Sequence, residues 1–212
     1  MSQEWCKHVG EKVLLVEGQN DCHVILALCK FHKVPKTFGV YDCENDDQAL
    51  KRINALISGA EPPVVIGLVL DADKPDVATR WQSIQDKLKQ YDYALPAFPE
   101  PAGTIIEPVS EKPRLGFWLM PDNRKEGMLE DFCLEMILPK EAETASRCVQ
   151  IAEAENCSSF KEVHRSKAIV HTYLAWQDEP GKPLGQAITA NSLRPNTATS
   201  QIFVDWLTQL FR

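Results

Sequence analysis

Apolar residues in the first two-thirds of the chain alternate between short continuous runs and longer stretches with helical spacing. The strongest run, residues 64–70, is apolar at nearly every position, which is typical of a central parallel strand covered on both faces. A spaced stretch such as residues 21–31 places Val24, Ile25 and Leu28 on one helical face. The runs predict strands at residues 12–16, 37–41, 64–70 and 116–120. The spaced stretches predict helices at residues 21–31, 46–57, 77–91 and 128–137.

The last third of the chain is predicted to be mostly helical, with helices at residues 160–176 and 201–211. Residues 178–185 predict a turn-rich loop, and the proline-rich stretch after the third helix predicts an irregular loop or an edge segment. We therefore expect an α/β fold, a mostly parallel sheet flanked by helices with a helical C-terminal part. A length of 212 residues suits one domain over residues 1–212. Its core is expected at about residues 10–140 and a helical extension at about residues 141–212.

Composition narrows the class of protein. Hydrophobic residues make up 44% and charged residues 25%, which is typical of a soluble globular protein. No apolar run approaches the roughly 20 residues of a membrane helix, and the N-terminus lacks the basic and apolar regions of a signal peptide. The seven cysteines form no C-x-x-C pair, so we interpret them as reduced thiols of a cytoplasmic protein and do not expect zinc.

The formal net charge of −7 bears on whether the chain binds nucleic acid. A protein that binds nucleic acid mainly through phosphate contacts is usually basic. Three interpretations stay open: the nucleic-acid contact is local, a partner supplies the basic surface, or nucleic acid is not the substrate.

Acidic residues follow two of the predicted strands at their carboxyl ends. Glu17 follows the first strand, and Asp71 and Asp73 follow the third. Asp21 lies at the expected start of the next helix, where capping is an equally good interpretation. Because right-handed crossovers bring the carboxyl ends of parallel strands to one edge of a sheet, we expect these side chains to meet there.

Further acids come later in the chain. Glu130 and Asp131 open a predicted helix, a position that the helix dipole alone also favours. Asp122 joins the same edge only if the strand before it is parallel, which the sequence leaves open. Grouped carboxylates repel each other unless a cation lies among them, and hard divalent cations prefer oxygen ligands. We therefore expect a site for one or two hard divalent cations.

Two of these segments, LLVEG at residues 14–18 and LDAD at residues 70–73, resemble the signature motifs of the Toprim domain. Topoisomerases, bacterial primases, small maturation nucleases and the nuclease half of overcoming-lysogenization-defect (OLD) proteins share that domain. Residues 127–132 resemble the third acidic element of stand-alone Toprim-like proteins, and residues 164–168 and 173–176 resemble later blocks. Over nearly its full length the chain is similar to a bacterial family of stand-alone, OLD-type Toprim-like proteins of uncharacterised function.

The resemblance implies a role for each of these residues. The implied metal is Mg²⁺ or Mn²⁺, as one or two ions, and its implied ligands are Glu17, Asp21, Asp71, Asp73, Glu130 and Asp131. Glu17 is also the candidate general base. Lys167 matches a lysine that approaches the scissile phosphate in OLD-type nucleases, where a positive charge favours the transition state.

The expected function is that of a Mg²⁺-dependent nuclease that cleaves DNA or RNA phosphodiesters. The resemblance adds an ATPase partner protein and a role in anti-phage defence. Two other functions stay open. One is a catalytically silent protein-interaction or regulatory subunit, which the acidic net charge favours, and the other is a primase-like nucleotidyl transferase. No membrane partner is expected, and a homo-oligomer is compatible with the sequence.

Overall fold

The computed structural model describes residues 6–7, 10–73, 75–108 and 110–212, and the five strands in these residues form one sheet. The strands are β1 (Lys12–Val16), β2 (Gly39–Asp42), β3 (Val65–Asp71), β4 (Thr104–Ile106) and β5 (Arg114–Met120). Their order is β2-β1-β3-β5-β4. The first four in this order pair in parallel, and the edge strand β4 runs antiparallel to β5. The prediction of a mostly parallel sheet is confirmed, and the orientation of β5 that the sequence left open is parallel.

Eight α-helices lie within the described ranges. They are α1 (Gln19–Phe31), α2 (Asp46–Ile57), α3 (Val77–Leu88), α4 (Leu129–Leu134), α5 (Pro139–Ala154), α6 (Arg165–Leu174), α7 (Leu184–Thr189) and α8 (Ala198–Leu210). Strands and helices alternate as far as α3, and from α4 onward the described chain is helical, so the expected α/β class is confirmed. Across the described residues, none of the helices has the length and hydrophobicity that crossing a membrane requires.

Helices cover both faces of the sheet, and each face has its own hydrophobic core. Side chains alternate between the two faces along a strand. Leu14 and Val16 of β1 therefore pack in the core formed with α1 and α4 to α8, whereas Val13 and Leu15 pack in the core formed with α2 and α3. Each fully buried aliphatic side chain of this kind contributes about 1.5–3 kcal/mol to stability.

The closing helix α8 lies directly against the sheet at Gly67 and Gly116, which are register partners in β3 and β5. A Cβ at Gly67 would lie 3.0 Å from Cδ2 of Leu210, and a Cβ at Gly116 would overlap the same carbon. Lys12 of β1 donates a 3.0 Å hydrogen bond to the carbonyl oxygen of Phe211 just beyond the helix, where a cation complements the helix dipole. The two glycines thus let α8 approach the sheet closely.

Several segments differ from the prediction. The proline-rich stretch contains the edge strand β4, and α5 is a separate helix that the sequence pattern does not single out. Helix α7 begins at Leu184, inside the segment predicted as a turn-rich loop. Helix α1 begins two residues before its predicted start with Gly18 as the N-cap, so Asp21 lies in the first turn instead of capping it.

The expectation of reduced thiols is wrong for two of the seven cysteines. Cys6 and Cys22 form a disulfide, with their Cα atoms 6.0 Å apart. This bond joins the chain before β1 to the first turns of α1. The other five cysteines are free, and Cys43 and Cys133 among them are buried.

Candidate functional site

A pocket of ≈ 460 Å³ opens at the carboxyl ends of β1 and β3, and we call it the carboxylate pocket. It collects residues from β1, α1, α2, β3, α4 and α6 or the turns beside them. Its lining residues are Glu17, Gly18, Gln19, Asn20, Asp21, Glu44, Asn45, Asp46, Asp71, Leu129, Glu130 and Lys167. Five of the seven residues that the sequence singled out therefore share one pocket.

Six acidic residues line this pocket, and four of them are predicted ligands that come from four separate segments. Glu17 follows β1, Asp71 ends β3, Asp21 lies in the first turn of α1 and Glu130 lies in the first turn of α4. They meet because β1 and β3 are adjacent parallel strands whose carboxyl ends share one edge of the sheet. Asp21 and Glu130 are buried, with 8% and 5% of their surface exposed.

Backbone hydrogen bonds connect these segments and orient two of the carboxylates. Glu17 Oε1 accepts a 2.7 Å hydrogen bond from the backbone N–H of Asp71. Asp71 Oδ1 accepts a 3.0 Å hydrogen bond from the backbone N–H of Leu129 at the start of α4. Direct hydrogen bonds thus connect the first acidic segment to the second and the second to the third.

Burial together with repulsion from neighbouring carboxylates disfavours the charged forms of Glu17, Asp21 and Asp71 and raises their pKa values. Burial is the largest cause that raises the pKa of Glu17 to about 7, opposed by the hydrogen bond from Asp71 and the charge of Arg80. Burial also raises the pKa of Asp21 to about 7, with further increases from the charges of Glu17 and Glu130. The pKa of Asp71 is raised well above its ordinary value by burial and then by Asp21 and Glu17. A cation in the pocket would have the opposite effect, since it favours ionised carboxylates.

Lys167 brings a positive charge from α6 to the carboxylate pocket. Its Nζ lies 3.4 Å from Glu130 Oε1, and its side chain is 48% exposed. The lysine is therefore held near the acids while its amine stays accessible to an anionic ligand.

Asp73 and Asp131 lie outside the carboxylate pocket, and both line a neighbouring pocket of ≈ 420 Å³. Asp73 Oδ1 is 3.8 Å from Nη2 of Arg80. Asp131 accepts a 2.9 Å hydrogen bond from the backbone N–H of Met128 and a short hydrogen bond from the Ser166 hydroxyl. The structure therefore does not group these two predicted ligands with the other four, and it gives them protein partners instead.

Arg80 of α3 is a residue that the sequence interpretation missed. Its side chain is 5% exposed. Nε donates a 2.9 Å hydrogen bond to the carbonyl oxygen of Asp71, and Nη1 donates one of 2.9 Å to Asp46 Oδ2. The sequence could have indicated its burial, because Arg80 lies beside Trp81 and one turn before Ile84, on the apolar stripe of the helix. An arginine on such a stripe indicates a buried ion pair.

The donors in the carboxylate pocket are oxygen atoms, the ligands that Mg²⁺ and Mn²⁺ prefer. Four buried or half-buried carboxylates beside an accessible amine fit such an ion by their chemistry. Among the described residues, however, no group of three or more His, Cys, Asp or Glu side chains is already arranged to hold a metal ion.

Comparison with curated proteins gives no match, and comparison with solved structures gives none either. A family model does match, over residues 11–212. This range contains every residue of the carboxylate pocket and all eight helices. The chain belongs to the DUF3226 family, described as proteins of unknown function.

Proposed function

We propose that the chain is a Mg²⁺- or Mn²⁺-dependent nuclease of the Toprim type that hydrolyses phosphodiesters of DNA or RNA. One observation carries the proposal: the carboxylates of Glu17, Asp21, Asp71 and Glu130, which come from four segments of the chain, line a single open pocket together with a lysine. Acids buried this closely are costly to the fold unless they serve a cation. The resemblance to Toprim motifs supports the proposal as well, because Glu17 comes before Asp71 in the chain and each lies at the end of a parallel strand.

Glu17, Asp21, Asp71 and Glu130 would hold one or two ions in this proposal. When bound, such ions polarise a phosphoryl oxygen and activate a water molecule. The hydrogen bond from the Asp71 N–H fixes Oε1 of Glu17, so this carboxylate is oriented to accept a proton from the attacking water. Lys167 would exchange its contact with Glu130 for a contact with the substrate phosphate, where it offsets developing negative charge.

A nuclease assay tests the proposal directly. The purified full chain is incubated with plasmid, single-stranded DNA and transfer RNA, with Mg²⁺, with Mn²⁺ or with a chelator. Cleavage is expected with either metal and is expected to fall at least about 100-fold in Glu17→Gln and in Asp71→Asn. Asp178→Asn removes an exposed carboxylate between α6 and α7 that does not line the carboxylate pocket, and it is the matched control. No metal-dependent cleavage of any substrate, either by the chain alone or with an ATPase encoded nearby, would contradict the proposal, as would equal cleavage by all four proteins.

The resemblance also suggests an ATPase partner and a role in anti-phage defence, and both are part of the proposal. If cleavage needs that partner, adding an ATPase encoded nearby to the same assay is expected to restore cleavage. A cytoplasmic location and assembly into a homo-oligomer are further proposals that chromatography and cell fractionation test.

A second candidate function is a catalytically silent interaction or regulatory subunit. The observation that favours it is that Asp73 and Asp131 contact Arg80, Met128 and Ser166 instead of facing the carboxylate pocket. Calorimetric titration separates the two candidates. The nuclease proposal expects Mg²⁺ binding that Asp71→Asn abolishes, whereas the interaction subunit is expected to show none near physiological Mg²⁺.

A further inference from the structure

A smaller concavity lies beside the carboxylate pocket, on the exposed face of α6, and we call it the α6 pocket. Its volume is ≈ 330 Å³. Its lining residues are Phe160, His164, Lys167, Ala168 and His171. The last four recur at positions i, i+3, i+4 and i+7, so they share one helical face. Phe160 lines the pocket from the segment before the helix and packs partly against the hydrophobic core.

The residues that line the α6 pocket differ in chemistry from those that line the carboxylate pocket. One aromatic ring, two imidazoles and a methyl group provide flat or apolar surface, and none of the described residues that line the pocket is acidic. Lys167 adds a positive charge in a protein whose net charge is −7. Flat rings beside a cation are the features with which proteins hold an unpaired base and its phosphate.

Lys167 lines both the α6 pocket and the carboxylate pocket. A ligand that occupies the α6 pocket and contacts the lysine therefore extends toward the four carboxylates. A base within a duplex is stacked on its neighbours and does not present a free face, whereas a single strand does.

We propose that the α6 pocket binds one unpaired nucleobase of a single-stranded nucleic acid, with the adjacent phosphate on Lys167. This inference rests on the proposed nuclease function and extends it by naming the substrate class. The complementary charge of Lys167 and its position between the two pockets favour a nucleotide over an apolar side chain of a partner protein.

Fluorescence anisotropy with dye-labelled strands tests this proposal at low salt and in a chelator, where no cleavage occurs. Three probes of equal length are compared: a single strand with bases, an abasic single strand that keeps the phosphates, and a duplex. Phe160→Ala and His171→Ala are the test variants. Phe98→Ala removes an aromatic ring that is 70% exposed elsewhere on the surface and is the matched control.

Each test variant is expected to weaken binding of the base-containing strand at least about fivefold, the lower end of what one base–aromatic stack contributes. Binding of the abasic strand and of the duplex is expected to stay unchanged, as is all binding by the control. His171 is exposed, so its variant keeps the test valid if Phe160→Ala perturbs packing, and melting curves check both.

Equal affinity of both test variants and wild type for the base-containing strand would overturn the proposal, as would an equal loss on the abasic strand. No binding of single strands by wild type would also overturn it and would favour a protein occupant. Failure of the nuclease proposal is distinguishable, because cleavage is measured separately with metal. Strands that are cut while both variants bind normally would refute only the base pocket.

Discussion

Arg80→Met is expected to destabilise the protein by about 3 kcal/mol, because it removes one partner of a buried ion pair. Asp46 is only 17% exposed, so its carboxylate would lose the 2.9 Å hydrogen bond from Nη1 without full access to water. The carbonyl oxygen of Asp71 would lose its hydrogen bond from Nε as well. Removing one partner of a buried pair costs about 3–5 kcal/mol, and the partial exposure of Asp46 places the loss at the lower end.

Urea denaturation of four proteins measures this interaction: wild type, Arg80→Met, Asp46→Asn and the double variant. The double variant is expected to be more stable than the sum of the single losses by at least about 1.5 kcal/mol, since both single changes remove the same contact between Arg80 and Asp46, and this contact is lost only once. Lys87→Met, an exposed position on the same helix, is the control and is expected to stay within about 0.5 kcal/mol of wild type. A loss below about 1 kcal/mol for Arg80→Met, or additivity within about 0.5 kcal/mol, would refute the reasoning.

Three further predictions concern packing, pH and the disulfide. Gly116→Ala is expected to cost about 1–3 kcal/mol in urea denaturation, because the added methyl group overlaps the closing helix, and an unchanged stability would contradict that contact. Since the folded-state pKa values of Glu17 and Asp21 are raised to about 7, their protonated forms stabilise the fold below about pH 4, and this contribution is lost as the pH rises through about 7. Glu17→Gln is therefore expected to raise the melting temperature at about pH 8 and to change it little at about pH 4, and Mg²⁺ is expected to stabilise wild type at the higher pH. Reduction of the Cys6–Cys22 bond, which closes a loop with a sequence separation of 16, is expected to cost about 3 kcal/mol, and titration of the unfolded, unreduced chain is expected to find five free thiols.

The sheet and its flanking helices could be predicted from the sequence because their patterns are local. β1 and α2 have the predicted bounds, and β3 is displaced by one residue from its predicted run. The meeting of Glu17 with Asp71 could be predicted as well, because parallel strands place their carboxyl ends together. The alternation of apolar runs and spaced stretches was therefore sufficient for the fold class and for the edge at which the carboxylate pocket lies.

Asp73 illustrates what the sequence pattern could not supply. Two residues on the same strand separated by one position share a face of the sheet. Strand β3 ends at Asp71, so this alternation does not extend to Asp73, which instead lies near Arg80. Where a strand ends depends on tertiary contacts, such as the backbone hydrogen bonds between Ala72 and Gly127, and these are not local features.

Helix α7 was missed for a related reason. Gly185 was interpreted as a turn residue, but a Cβ at this position would lie 2.6 Å from the carbonyl oxygen of His23 in α1. The glycine therefore permits close helix–helix packing and does not mark a turn. A single glycine has the same appearance in both cases, and only the neighbouring helix distinguishes them.

The close packing of α8 against Gly67 and Gly116 limits where the chain can be truncated. The predicted boundary near residue 140 is a change in sequence pattern, yet the helices beyond it complete one hydrophobic core and provide Lys167. A chain that ended there would leave the bare glycine pair and the indole of Trp118 facing water, and one wall of the carboxylate pocket would be missing. The C-terminal helices are thus needed to build the proposed site as well as the core. A chain truncated near residue 140 is expected to aggregate instead of showing nuclease activity.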